Sequence, residues 1–143
     1  MSARLKGRIR QVAALLHDIS GWATGHDDII GLVLVGSHAY GKPRIGSDVD
    51  LILLTTQPGK YLDNDMLADF APSAKLIRAQ RWGAVTERRL RLTNGLHVEL
   101  NIAEPNWAAI PLDPGTRQVL ARGARPLHDP HKVLMDACKA VPR

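Results

Sequence analysis

Two pairs of residues suited to phosphate chemistry lie close together in this sequence. Gly36 and Ser37 end one apolar run, and Asp48 and Asp50 begin the next. A small glycine-containing turn can bring backbone N–H groups against phosphate oxygens. Two carboxylates at i and i+2 of a strand point to the same face, where they repel each other unless a cation lies between them. A phosphate-binding turn beside a divalent-metal site is the combination that phosphoryl or nucleotidyl transfer requires.

A third carboxylate can join this pair if the sheet has the right order. Glu99 interrupts a strand in which Val98, Leu100 and Ile102 share one face. A carboxylate in the middle of such a strand is unfavourable to bury without a partner. If this strand lies beside the one that begins at Asp48, three acids converge.

Hydrophobic periodicity predicts the elements that carry the first two pairs. Residues 2–24 place apolar side chains at helical spacing, with basic residues opposite. Apolar runs predict strands at 29–35 and 48–55, joined by a glycine-rich turn over 36–46. A short helix is expected over 61–70.

The second half of the chain reads as a meander followed by helices. Residues 74–79 alternate imperfectly between polar and apolar side chains. Asn94 and Gly95 lie between two alternating runs, and this pair predicts a hairpin that joins 84–92 to 96–103. Short helices are expected near 115–122 and 130–140.

Length and composition set limits on the class of protein. A chain of 143 residues, 45% hydrophobic and 23% charged, fits one globular domain over 1–143. No apolar run approaches the roughly 20 residues that cross a bilayer, so no membrane association is expected. Cys138 is the single cysteine, which agrees with a reducing compartment, and a cytoplasmic location is the expectation.

The net charge of +5 favours anionic partners such as nucleotides or nucleic acids. Basic residues concentrate near the N-terminus and over 78–91. Aromatic residues make up only 4% of the chain, so stacking platforms for single strands are scarce. A solvated basic surface and a nucleic-acid-binding surface both remain open from charge alone.

The residues Gly36, Ser37, Asp48, Asp50 and Glu99 resemble the nucleotidyltransferase superfamily of the DNA polymerase beta type. The resemblance runs from about residue 29 to 101 and is greatest to the small stand-alone members, the minimal nucleotidyltransferases. It implies an α/β (α+β) fold in which helices pack on a mixed central sheet. It also implies that the three acids hold two Mg²⁺ ions, while Gly36 and Ser37 hold the β- and γ-phosphates of a nucleoside triphosphate.

The chain departs from that superfamily pattern at two positions. Many relatives carry arginine where this chain has Tyr40, so a contact to the triphosphate is either missing or supplied by Lys42 or Arg44. Ser47 is counted with these residues as a nucleotide-binding candidate. The third acid of relatives is commonly Asp, and Glu99 is longer by one methylene group.

The resemblance implies an enzyme that transfers a nucleoside monophosphate to a hydroxyl group, with AMP from ATP as the first choice. The acceptor is a protein side chain or a small molecule. Some minimal members are antitoxins that adenylylate a helical partner toxin, and the length of this chain fits that arrangement. Two alternatives stay open: an inactive or weakly active module that binds a nucleotide or a partner, and a nucleic-acid-binding protein.

Overall fold

Six strands form one mixed β-sheet in the computed structural model, which describes residues 1–62, 69, 71 and 73–142. The strands are β1 (Ile29–Val35), β2 (Val49–Thr55), β3 (Lys75–Trp82), β4 (Val85–Arg91), β5 (His97–Ala103) and β6 (Ala124–His128). Their order across the sheet is β3-β4-β5-β2-β1-β6. Strands β2 and β5 are parallel, whereas all other neighbours are antiparallel. The fold is therefore α+β with a mixed sheet, as the resemblance implied.

Helices cover both faces of this sheet. They are α1 (Ala3–Thr24), α2 (Ser37–Tyr40), α3 (Pro114–Ala121) and α4 (Val133–Lys139), with 3₁₀ turns at Pro58–Tyr61 and Pro105–Ala108. The long helix α1 begins where the Ser2 hydroxyl accepts a hydrogen bond from the backbone N–H of Leu5, and Gly25 caps its other end. None of the helices in the described ranges has the length and apolar character needed to cross a membrane.

Most of the predicted elements are present, with two differences. The structure adds a strand, β6, which the sequence pattern does not predict. The helix expected over 61–70 falls mainly outside the described residues, and Tyr61 itself ends a 3₁₀ turn. The helices expected near 115–122 and 130–140 correspond to α3 and α4.

The sheet separates two hydrophobic clusters. On one face, α1 packs its apolar stripe against residues such as Leu51, Leu53 and Leu100. On the other face, the C-terminal helices cover residues such as Val33 and Leu54. The side-chain alternation of a strand places Asp50 and Glu99 on this second face.

A buried carboxylate locks the end of β1 and β2 that lies away from these acids. The carboxylate of Asp28 accepts hydrogen bonds from Thr55 Oγ1 at 2.8 Å, Lys60 Nζ at 2.9 Å and the Tyr61 hydroxyl at 2.5 Å. Burial alone would raise the pKa of Asp28, but the bonds from Tyr61, Lys60 and Thr55 lower it to about 2. The Tyr61 ring packs edge-on against Trp22, so α1 is tied to the same cluster.

Strand β3 forms one edge of the sheet. All eight of its residues are exposed, although the neighbouring strand β4 is partly buried. The exposed side chains include both apolar and basic groups: Lys75, Leu76, Ile77, Arg78, Arg81 and Trp82.

Candidate active site

Asp50 and Glu99 lie directly opposite each other on the parallel strands β2 and β5. The order of the strands creates this pairing, because β5 lies between β4 and β2 in the sheet. The side chains of both residues face the side that α1 does not cover. Two of the three acids singled out in the sequence are thus neighbours.

The carboxyl group of Asp50 lies in an environment that disfavours its charge. Burial, a hydrogen bond with Glu99 and the charges of Glu99 and Asp48 together raise the pKa of Asp50 to about 7, against a smaller opposing effect of Arg89. The negative charges of Asp48, Asp50 and Glu99 are therefore not fully balanced by the positive charge of Arg89. A carboxyl shift of this kind is more frequent at functional sites than elsewhere.

The guanidinium of Arg89 contacts the carboxylates of both Asp48 and Glu99. Its Nη1 donates to Glu99 Oε1 at 2.5 Å, and its Nη2 lies 3.0 Å from Asp48 Oδ2. Nη2 also lies 3.1 Å from His97 Nδ1. Strand β4 positions this side chain, because Arg89 pairs with Glu99 in the ladder between β4 and β5. Arg89 therefore places a positive charge between Asp48 and Glu99.

Gly36 closes the other side of Asp50. Its φ of +78° belongs to the region that glycine adopts without strain, and a Cβ there would overlap the carboxylate of Asp50. The bare backbone of Gly36 thus forms a wall of the Asp50 site. Ser37 follows immediately and begins α2, so the Gly-Ser turn and the acids are adjacent.

The donor set fits a divalent cation in its chemistry. Carboxylate oxygens are the ligands that Mg²⁺ prefers, and three carboxylates face one guanidinium. As they stand, no three His, Cys, Asp or Glu side chains of the described residues form a closed ligand group around one position. The guanidinium of Arg89 binds Asp48 and Glu99 in this arrangement.

A cleft of about 730 Å³ opens beside the acids. Its far wall combines aromatic and aliphatic groups from β3, β4, α3 and the 3₁₀ turn at Pro105–Ala108. A pocket of this size with a few polar groups is typical of a small-ligand site. The residues that line the cleft include Gly36, Tyr40, Asp50, Trp82, Trp107 and Arg122.

Other residues proposed from the sequence lie apart from the cleft lining. Lys42, Arg44 and Ser47 are absent from its walls, and the Ser47 hydroxyl accepts a hydrogen bond from the Arg44 backbone at 2.8 Å. Ser47 therefore shapes the loop before β2. The Ser37 carbonyl accepts a bond from the backbone N–H of Lys42 at 3.1 Å, which closes the turn after α2.

Two residues at the cleft are not among the site residues predicted from the sequence: Glu87, which binds the cleft residue Trp82, and Arg122, which lines the cleft itself. Glu87 is buried and accepts hydrogen bonds from Trp82 Nε1 at 2.8 Å and from Arg78 Nη2 at 2.5 Å. Burial alone would raise the pKa of Glu87, but these two partners lower it. The alternation of side chains in β4 places Glu87 and Arg89 on one face, and this is the signal that the sequence offers for them. Nothing local marked Arg122.

A family-level comparison agrees with the site. The model of the family described as "Nucleotidyltransferase domain" matches residues 22–107, a range that contains the Gly-Ser turn and all three acids. A comparison with curated proteins finds no significant match.

Comparison with solved structures finds more distant similarity. Terminal uridylyl transferase 4 from Trypanosoma brucei with bound GTP is 20% identical, with a TM-score of 0.48, and the match covers 78% of this chain and 38% of that one. The same protein with bound UPU is 18% identical over 85% of this chain and 44% of that one, with a TM-score of 0.46. A structure of a GLD-2/RNP-8 complex is 23% identical over 83% and 37%, with a TM-score of 0.43. The chain spans less than half the length of these proteins.

Proposed function

Because the chain belongs to the nucleotidyltransferase domain family, we propose that it transfers a nucleoside monophosphate from a triphosphate to an acceptor hydroxyl. AMP from ATP is the transfer we put forward first. The observation that carries this proposal is the grouping of Asp48, Asp50 and Glu99 beside the Gly36 turn, at the mouth of a cleft of about 730 Å³.

Each group in the site has a role under this proposal. Asp48, Asp50 and Glu99 would hold two Mg²⁺ ions, and bound metal of this kind neutralises phosphate charge and lowers the pKa of an attacking hydroxyl. The turn at Gly36 and Ser37 would hold the phosphates through its backbone. Positioning and electrostatics dominate phosphoryl chemistry, so the reaction requires no nucleophile from the protein.

The acceptor belongs to the finer part of the proposal. We propose a hydroxyl of a protein side chain or of a small molecule. An antitoxin-type activity on a helical partner protein is the arrangement that the resemblance to minimal nucleotidyltransferases favours. A cytoplasmic location belongs to the same proposal, supported by the lone cysteine.

Transfer can be tested with purified protein, Mg²⁺ and each of the four labelled nucleoside triphosphates. Candidate acceptors are presented separately, and pyrophosphate release is measured beside label transfer. Asp48→Asn and Asp50→Asn should reduce both signals at least about 100-fold, while Asp18→Asn, an exposed acid on α1, should leave them unchanged. A folded protein that releases no pyrophosphate with any triphosphate and acceptor would overturn the proposal.

A second candidate is a nucleotide-binding module without transfer. The contacts from Arg89 to both Asp48 and Glu99 favour it, because they engage two of the three acids. Calorimetry with ATP and Mg²⁺ separates the two functions: binding without pyrophosphate release supports the module. Salt-dependent binding of DNA or RNA that is indifferent to Asp48→Asn would instead support a nucleic-acid-binding protein.

A further inference from the structure

Arg122 lies beside the Gly-Ser turn although it is 85 residues away from Ser37 in the sequence. Strand β6 runs antiparallel to β1, and Val35 pairs with Ala124. The residues just before Ala124 therefore lie against the residues just after Val35. This register brings the C-terminal end of α3, which Arg122 caps, next to α2.

Tyr40 fixes the side chain of Arg122. A Cβ at Gly123 would lie 2.5 Å from Tyr40 Cδ1, so the ring packs on the bare backbone of that glycine. The guanidinium carbon of Arg122 lies 5.5 Å from the centre of the same ring. This distance is in the range of a cation–π contact, which restrains the guanidinium at the cleft.

The charge of Arg122 has no protein counter-ion in the described part of the chain. Its side chain is exposed, it lines the cleft together with Gly36 and Asp50, and no carboxylate of the described residues forms an ion pair with it. Arg89, by contrast, is already engaged by Asp48 and Glu99. Arg122 is thus the cation of the cleft that is available to a ligand.

We propose that Arg122, held by Tyr40, binds the polyphosphate of the nucleoside triphosphate. An arginine guanidinium presents a planar set of donors that matches phosphate oxygens two at a time. The position of Arg122 beside the Gly-Ser turn puts these donors on the side of the cleft where the phosphates would lie. The inference rests on the proposed function and adds a specific binding residue to it.

The test uses two probes, ATP and inorganic tripolyphosphate, and measures their dissociation constants by calorimetry. Arg122→Gln should weaken the binding of both probes at least about tenfold, because both contain the polyphosphate that Arg122 is proposed to contact. Arg122→Lys should recover part of the loss, since it keeps the charge without the paired donors. Arg117→Gln on the same helix is the matched control and should bind both probes as the wild type does.

The role of Tyr40 has its own pair of variants. Tyr40→Phe keeps the ring and should bind tripolyphosphate as the wild type does. Tyr40→Leu removes the ring and should weaken this binding about 3- to 10-fold, but only while Arg122 is present. The same Tyr40→Leu change in the Arg122→Gln background should have no further effect.

Two outcomes separate failure of the inference from failure of the proposed function. If the wild type binds both probes and Arg122→Gln binds them equally well, the assignment of Arg122 is wrong and the proposed function stands. If the wild type binds neither probe with or without Mg²⁺, both are overturned. Thermal unfolding of each variant shows whether a loss of binding reflects a loss of folded protein, and exposed Arg122 should tolerate glutamine without a change in Tm.

Discussion

Arg89 lies directly opposite Glu99 in the β4–β5 ladder, and their side chains meet at 2.5 Å between Nη1 and Oε1. The same guanidinium reaches Asp48 at 3.0 Å. One cation therefore links two carboxylates that come from different parts of the chain. The three side chains are only partly exposed, at 21% for Arg89, 25% for Glu99 and 30% for Asp48, so solvent screens their interaction incompletely.

We expect Arg89→Met to destabilise the protein, measured in the absence of divalent metal. Removal of the guanidinium leaves Asp48 and Glu99 without their cation, and we expect a loss of about 1–3 kcal/mol in the free energy of unfolding. Arg91→Met, on the same strand, is the control and should change little. Urea titrations monitor unfolding. In a double-mutant cycle with Glu99→Gln, the double variant should lose less stability than the sum of the losses in the two single variants. Losses that simply add would contradict an interaction between Arg89 and Glu99.

Gly36→Ala should disturb the site more than Gly41→Ala does. Both glycines have a positive φ, at 78° and 76°, so alanine is strained at either position, by about 1–2 kcal/mol at the left-handed Gly41 and by about 1–3 kcal/mol at Gly36, whose ψ of −166° lies in a region that essentially only glycine adopts. A Cβ at Gly41 meets no atom within 4 Å, whereas a Cβ at Gly36 overlaps the carboxylate of Asp50. Nucleotide binding should therefore decrease in Gly36→Ala alone, and an equal decrease in both variants would refute the role assigned to Gly36.

Local patterns predicted the elements and the face on which the acids lie. Gly95 adopts a φ of +87°, and the backbone N–H of Leu92 donates to the Leu96 carbonyl at 2.8 Å, so the hairpin closes where its turn residues indicated. Period-two alternation put Glu99 on the face opposite Val98. These features depend on neighbours in sequence, which a pattern can report. The catalytic and metal roles of the three acids stay a prediction.

Contacts between distant segments could not be read in the same way. The strand character of β6 comes from pairing with β1, and its Pro126 and exposed residues give no strand signal of their own. Alternation placed Arg89 on a face but did not name its partner, which depends on the order β4-β5-β2. Arg122 approaches Tyr40 only because the chain returns to β1 after α3.

The Asp28 cluster should make stability dependent on acidity. The pKa of Asp28 is about 2 in the folded protein and 3.8 as the ordinary value, so the folded state favours the ionised form. The resulting stabilisation, about 2 kcal/mol, is complete above about pH 5 and is lost as the pH falls through about 2. The side chain of Asp28 is only 8% exposed, so little screening is expected.

Unfolding titrations of Asp28→Asn at several pH values check this dependence. The variant should be less stable than the wild type at pH 7, and the difference should shrink as the pH falls from 4 toward 2. Asp27→Asn, a change in the exposed neighbour, is the control and should follow the wild type across this range. A difference for Asp28→Asn that stays constant with pH would show that its carboxylate charge is unimportant.

Glu87→Gln should loosen the indole of Trp82 at the cleft. Glutamine keeps the shape of Glu87 but removes the negative charge of the carboxylate, whose oxygens accept hydrogen bonds from Arg78 and from the indole N–H. We expect a loss of about 1–3 kcal/mol in stability and an altered indole N–H resonance of Trp82 in nitrogen-edited NMR spectra. Glu104→Gln, at an exposed position, should alter neither. An unshifted Trp82 resonance in the Glu87 variant would contradict the proposed restraint.

The exposed edge strand β3 bears on how molecules of this protein meet each other. The outer side of an edge strand offers free backbone donors and acceptors to the same strand of a second molecule. Apolar contacts of the exposed Leu76 and Ile77 would add to the stability of such a pair. Lys75 and Arg81 oppose it, because two approaching edges carry the same positive charge. That protection weakens once salt shortens the range of the repulsion, to about 8 Å at 0.15 M. Dilute buffers of low ionic strength are therefore the conditions that keep concentrated solutions of this protein clear.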